Sequence, residues 1–144
     1  MVLKEVDTKT DGKPVFKAKV LLAEDNLTNQ IVARGLLNLY GVEVVVAENG
    51  QKAVEQAEST KFDLIFMDCQ MPIMDGYEAT RKIRQFTESQ TAQDVPIVAL
   101  SANEMTGDED ECFSAGMNDH IAKPVSQDKL TAILTKWLTS PVCL

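Results

Sequence analysis

From Lys17 onward, short apolar runs rich in β-branched residues alternate with longer stretches whose apolar positions recur at helical spacing. The runs are Ala18–Ala23 (AKVLLA), Val42–Ala47 (VEVVVA), Phe62–Met67 (FDLIFM), Pro96–Leu100 (PIVAL) and a weaker one at His120–Ala122 (HIA). Three of them are nearly continuous rather than alternating, which is the pattern of a strand buried on both faces. Between the runs, Leu27 to Tyr40 carries Leu27, Ile31, Val32, Leu36, Leu39 and Tyr40 at helical spacing, and Gly41 supplies a stop. Gly50 to Glu58, Gly76 to Arg84 and Met105 to Ala115 predict three more helices, the last one acidic and closed by Gly116. Ser126 can cap a fifth helix, in which Leu130, Ile133, Leu134 and Trp137 sit at i, i+3, i+4 and i+7.

Five strands alternating with five helices predict an α/β fold, a doubly wound five-stranded parallel sheet covered on both faces. Right-handed crossovers leave few topologies, and the strand order 2-1-3-4-5 opens a crevice between strands one and three. The 144 residues suit one domain. Residues 1–16 are polar and aperiodic and read as a flexible linker or tail, 17–140 as the domain, and 141–144 as a C-terminal tail.

Polar residues fall where this fold makes them informative, at the C-terminal ends of the strands. Glu24 and Asp25 end the first, Asp68 the third, Ser101 the fourth, and Lys123-Pro124 the fifth. Two unit charges about 5 Å apart at an effective dielectric of about 20 repel by roughly 3 kcal/mol. Three carboxylates in one crevice therefore call for a bound cation, a raised pKa or strain. An all-oxygen donor set selects a hard cation, and Mg²⁺ suits a site that also awaits a phosphate oxygen. Lys123 and Ser101 add an ammonium and a hydroxyl, which completes a pocket for a tetrahedral dianion. Asp68, on the central strand, is the expected nucleophile, and Glu24 and Asp25 are the expected metal holders. Asp75 precedes Gly76 and a helical pattern, so it reads as a cap rather than a ligand. Met67, Met71 and Met74 read as packing or loop anchors, Trp137 as core, and the acidic run Asp108–Glu111 as a solvated helix face.

The formal charge of -8 repels phosphate backbones and argues against nucleic-acid binding. Cys69, Cys112 and Cys143 match no metal-site spacing and are expected to be free thiols in a reducing cytosol. No apolar run approaches a membrane span, and the N-terminus lacks the apolar core of a signal peptide, so this segment is expected to be cytoplasmic without membrane contact.

Four stretches together, VLLAEDNLTNQ at 20–30, DLIFMDCQMPIMDGYEATRKIR at 63–84, PIVALSAN at 96–103 and GMNDHIAKP at 116–124, resemble the receiver domains of two-component response regulators. The resemblance spans roughly Lys17 to Leu138 and implies a flavodoxin-like (βα)5 fold. It implies Asp68 as phosphoacceptor, Glu24 and Asp25 as the Mg²⁺-binding pair, and the backbone carbonyl of Gln70 as a further ligand. Ser101 matches the hydroxyl that swings towards the phosphoryl group, and Lys123 the lysine that pairs with it. Gln70 and Asn103 match positions that tune water access. The Lys123–Pro124 bond is similar to one that is usually cis in the family. His120 stands where many receivers carry a Tyr or Phe switch residue, and unlike those a histidine can also titrate. The partner implied is a histidine kinase or histidine phosphotransfer domain. The wording MDCQMPIMDGYEAT looks most like receivers attached to hybrid sensor histidine kinases, which makes residues 1–16 the expected tether to a kinase core.

Two other functions use the same residues. A Mg²⁺-dependent phosphatase with an Asp nucleophile usually needs a second acid two residues on, where this chain has Gln70. A pure interaction module would be expected to lack one of the acids or the lysine, and none is missing. A flavin site is disfavoured because no phosphate-cradling loop follows the first strand.

Overall fold

The structure, a computed structural model, describes residues 16–101, 112–123 and 125–138. Five strands form one parallel sheet: β1 (Lys19–Ala23), β2 (Glu43–Ala47), β3 (Leu64–Asp68), β4 (Ile97–Ser101) and β5 (Asp119–Ala122). Their order is β2-β1-β3-β4-β5, as the pattern predicts. The helices are α1 (Leu27–Asn38), α2 (Gly50–Ser59), α3 (Gly76–Ile83) and α5 (Gln127–Leu138), and residues 112–115 are the described part of α4. The rest of the expected fourth helix, with Asn103, Pro124 and Cys143, lies outside the described residues, as do residues 1–15.

β3 and β4 are buried along their whole length, and β1 along all but Lys19. Successive side chains of a strand point to opposite faces, and these strands fill both. Leu21, Ile65, Met67, Ile97 and Ala99 pack with α2 and α3 on one side. Val20, Leu22, Leu64, Phe66, Val98 and Leu100 pack with α1 and α5 on the other. Met67 and Met74 are buried and Met71 packs against the same core, as packing anchors should.

Caps account for the helix starts. Asn26, Asn49, Asp75 and Ser126 each accept the amide three residues on, at 2.9, 2.8, 2.9 and 3.3 Å. The face assigned to α1 needs correction. Leu27, Ile31, Val32 and Leu39 are exposed, whereas Leu36 packs on the core and Tyr40 is buried as expected, and Ala33 and Leu37 join them on the inner face. The buried stripe runs through a small alanine, which a search for large apolar residues passes over. Tyr40 follows the helix proper, and its hydroxyl donates to the Gln127 carbonyl at 3.1 Å, which ties α1 to α5. Phe16 belongs to the same corner: its amide donates to the Tyr40 carbonyl at 2.8 Å. Trp137 is only partly buried, and its indole N–H donates to Asp119 Oδ2 at 3.0 Å.

Arg84, at the C-terminal end of α3, joins segments that sequence cannot connect. Its guanidinium donates to the carbonyls of Gly116 (2.9 Å), Gln93 (2.8 Å) and Val95 (2.7 Å) and to Asn118 Oδ1 (2.7 Å). Asn118 Oδ1 also accepts the Ile97 amide at 2.9 Å. The N-terminal ends of β4 and β5 are thereby fixed to α3.

Candidate functional site

The C-terminal ends of β1, β3, β4 and β5 open into a cleft of about 490 Å³ lined by Glu24, Asp25, Asp68, Gln70, Ser101 and Lys123, with Asn26, Asn29, Cys69 and Tyr77. Glu24, Asp25, Asp68, Ser101 and Lys123, the described residues expected from the strand ends, are therefore at one rim. Asp68 is the last residue of β3, and Glu24 and Asp25 follow β1 directly. Carboxylate oxygens of Glu24, Asp25 and Asp68 lie within 4.8 Å of one another.

Local structure fixes each of these groups. Glu24 is almost wholly buried, and its amide donates to the Ala47 carbonyl at 3.0 Å. Its Oε2 accepts the Asn26 amide at 3.2 Å and its carbonyl accepts Gln30 Nε2 at 2.7 Å, so the first turns of α1 hold it in place. Asp68 Oδ1 accepts the Gln70 amide at 3.1 Å. Gly76 is needed behind it, because a Cβ there would run into the Asp68 carbonyl oxygen. The Gly76 amide donates to the Cys69 carbonyl at 3.1 Å, which closes the β3–α3 loop.

Lys123 Nζ bridges two of the acids, at 3.0 Å from Asp68 Oδ2 and 3.2 Å from Glu24 Oε1. Burial works to lower the lysine's pKa, but hydrogen bonds and attraction from Asp68 and Glu24 outweigh it and hold it above the usual range. One ammonium does not neutralise the cluster. Burial pushes the Asp68 carboxyl up to about 6, the Lys123 hydrogen bond pulls it back in part, and the Glu24 charge pushes it up again. The surplus negative charge is thus disfavoured most at Asp68, the acid that holds its proton longest. The donor set offers oxygens only, two of its carboxylates (Glu24 and Asp68) are buried while Asp25 is exposed, the three repel one another, and a hard divalent cation is what such a set fits.

Ser101 ends β4, is buried, and its Oγ lies 3.0 Å from His120 Nε2. His120 pairs with Ala99 across the β4–β5 ladder and stands behind Ser101 rather than in the cleft lining. Asp75 caps α3, as expected, and is not part of the cluster. Asn29 and Tyr77 were not singled out in the sequence. Asn29 is one turn into α1 beyond the acidic pair, a position that helical spacing could have flagged.

Residues 20–135 match the family described as "Response regulator receiver domain". The chain is 39% identical over 119 residues to "Sensor protein GacS" of Pseudomonas syringae pv. syringae, covering 83% of this chain and 13% of that protein. It is 43% identical over 129 residues to "Hybrid signal transduction histidine kinase B" of Dictyostelium discoideum, covering 83% of this chain and 7% of that protein. The chain thus spans a small fraction of these relatives' length. Among solved structures, it superposes with TM-score 0.78 and 44% identity on the receiver domain of sensor histidine kinase PA1611 from Pseudomonas aeruginosa PAO1, which has a magnesium ion coordinated in its active site cleft. That match covers 86% of this chain and 99% of the other. It superposes with TM-score 0.80 and 34% identity, over 88% and 92% of the two chains, on a Saccharomyces cerevisiae co-crystal of the histidine phosphotransfer protein Ypd1 with the receiver domain of Ssk1. With the sheet order, the filled strand ends and a family match over most of its length, the chain belongs to the response regulator receiver domain family.

Proposed function

We propose that the chain is a phosphorelay acceptor in which Asp68 takes a phosphoryl group from the phosphohistidine of a histidine kinase or histidine phosphotransfer domain. The observation that carries this reading is the buried Asp68 carboxylate, grouped within 4.8 Å of Glu24 and Asp25 oxygens and bonded at 3.0 Å to Lys123. Asp68 attacks phosphorus, the P–N bond of the donor breaks, and the imidazole leaves with the electron pair and takes a proton. Lys123 and Ser101 can donate to the phosphoryl oxygens as charge develops there. Glu24, Asp25, Asp68 and the backbone carbonyl of Gln70 would hold Mg²⁺, whose charge keeps the acids ionised and offsets that of the phosphoryl group. Gln70, in place of an acid two residues after Asp68, works against steady phosphatase turnover.

The Ser101–His120 hydrogen bond gives the switch a concrete form. With a bare Nε2, the imidazole accepts a hydrogen bond from the Ser101 hydroxyl; with a protonated Nε2, it donates to Oγ, and the hydroxyl can then donate to a phosphoryl oxygen. Phosphorylation would thus couple to β5 through His120. On this reading residues 1–16 tether the domain to its kinase, and the domain works in the cytoplasm.

Incubation with acetyl phosphate and Mg²⁺ should add one phosphoryl group by intact mass, lost under mild base as an acyl phosphate is. An unchanged mass would overturn the reading.

Two features favour a helical protein donor. Leu27 and Ile31 are exposed one turn apart on α1, and Val32 lines a small pocket beside Glu24 and Lys123. Ile73 is 80% exposed and sits at φ 70°, with the Met74 amide bonded to the Pro72 carbonyl at 2.7 Å. A β-branched residue held in left-handed backbone and in water is strained with no folding gain, which fits a contact made on docking. Ile73→Asn, which tolerates that backbone, is expected to slow transfer from a phosphohistidine protein by about tenfold. Uptake from acetyl phosphate should change by no more than about twofold, since that donor needs no docking. Equal slowing with both donors would place the effect on Asp68 chemistry instead.

A further inference from the structure

Two thiols touch beneath the cleft. Cys69 Sγ and Cys112 Sγ are 3.6 Å apart, and both are buried thiols outside any disulfide. Cys69 follows Asp68 directly. Its amide donates to the Leu100 carbonyl at 3.0 Å and its carbonyl accepts the Gly76 amide, so its backbone is part of the wall that carries the acid. Cys112 lies in α4, where its carbonyl accepts the Met117 amide at 3.0 Å. The pair is thus the point at which the β3–α3 loop meets α4.

We propose that Cys69 and Cys112 form an oxidation site, at which a two-electron oxidant of the peroxide class makes a disulfide that staples the segment after Asp68 to α4. One sulfur attacks a peroxide oxygen, the O–O bond breaks, and a sulfenic acid and a water result. The second sulfur attacks the sulfenic sulfur, the S–O bond breaks, and hydroxide leaves as a second water. The two thiols lose two protons and two electrons, and the peroxide is reduced to two waters.

A disulfide is about 2.05 Å long, so the sulfurs must close by roughly 1.5 Å. Cys69 lies just past the end of β3, its backbone still bonded to Leu100 of β4, and Cys112 lies in a helix, so the closure is made by the two side chains. Cys69 lines the cleft, which gives a small oxidant a way in. Both thiols are almost wholly buried, so an oxidant reaches them seldom and the first step is slow. The second step has its partner already in contact and is fast. Together these describe a slow, cumulative modification rather than a rapid sensor.

The experiment uses the full chain with Cys143→Ser, which removes the third thiol. After hydrogen peroxide, denaturation and iodoacetamide, the intact mass should fall by about 2 Da with no label taken up. Dithiothreitol should restore both labelling sites. Oxidised protein should take up phosphoryl from acetyl phosphate more slowly and recover on reduction, while circular dichroism shows the fold unchanged. The mass readout stands whether or not Asp68 is an acceptor. Two thiols that still label, a gain of about 32 Da from sulfinic acid, or a disulfide found only between molecules would each overturn the proposal.

Discussion

Asparagine in place of Asp68 is expected to abolish phosphoryl uptake and to raise the thermal stability of the metal-free protein at neutral pH. The first effect follows from loss of the nucleophile. The second follows from the carboxyl's pKa of about 6 in the fold against 3.8 for the ordinary group, a rise that burial causes first and the Glu24 charge adds to, over the opposing Lys123 bond. Below about pH 4 the group is protonated folded and unfolded alike. Between 3.8 and about 6 the folded protein keeps a proton that the unfolded chain has lost, so stability falls as pH rises through that window. By pH 7 the full penalty applies, roughly 3 kcal/mol at 1.36 kcal/mol per unit. Asparagine carries no charge and escapes it, although Lys123 then keeps only Glu24. The expected net gain is about 1–3 kcal/mol, or several degrees in Tm. Thermal melts with EDTA from pH 4 to 8 should show the native curve falling and the variant flat in this window. Mg²⁺ should raise the native Tm at pH 7 and the variant's much less. A variant less stable than the native protein at pH 7 would mean that the Lys123 bond outweighs burial.

The strand ends were legible because buried parallel strands read as unbroken apolar runs, and a polar residue at the end of such a run stands out. Glu24, Asp25, Asp68, Ser101 and Lys123 were all found this way, and the sheet order brings them to one cleft. What sequence left unread is pairwise. Lys123 was expected to serve a phosphoryl group, but nothing in its neighbours tells that its Nζ bridges Asp68 and Glu24. Arg84 looked like the last residue of a helix, and only the fold supplies its three carbonyls. Cys69 and Cys112 are 43 residues apart in the chain and in contact in space. The inner face of α1 was read only in part, at Leu36 and Tyr40, for a physical reason. Its exposed residues are larger and more apolar than Ala33, so a periodicity weighted by size picks the outer face.

Removing Lys123 is expected to have the second largest effect. Alanine there leaves Glu24 and Asp68 buried side by side without a counter-charge, and breaking a buried pair costs about 3–5 kcal/mol. Asp68 can relieve part of this by keeping its proton, so a loss of about 2–4 kcal/mol is expected in metal-free protein at pH 7. The loss should shrink as pH falls below about 6, where Asp68 is already neutral. In the native protein the lysine's own contribution is present below its ordinary pKa of 10.5 and lost as pH rises beyond it, since the two carboxylates hold its folded value above that, despite burial. Phosphoryl uptake should slow about a hundredfold through loss of a donor to the developing charge. Urea denaturation of Lys123→Ala, Glu24→Gln and the double variant tests the coupling. Glu24→Gln should recover much of the stability that Lys123→Ala loses, and purely additive effects would show that the two groups do not interact.

The guanidinium of Arg84 has a mechanical consequence. It grips the chain where β4 and β5 begin, through Val95, Gly116 and Asn118, while Ser101 and Lys123 stand at the opposite tips. Each strand is four or five residues long, a lever of about 13–17 Å at about 3.3 Å per residue. Turning such a lever by about 5° about a fixed heel carries its tip by only about 1 Å. That is the scale on which a hydroxyl or an ammonium gains or loses a hydrogen bond. In the proposed switch, a single cation at the far end of both strands would therefore serve as the fulcrum through which small tilts reach the rim.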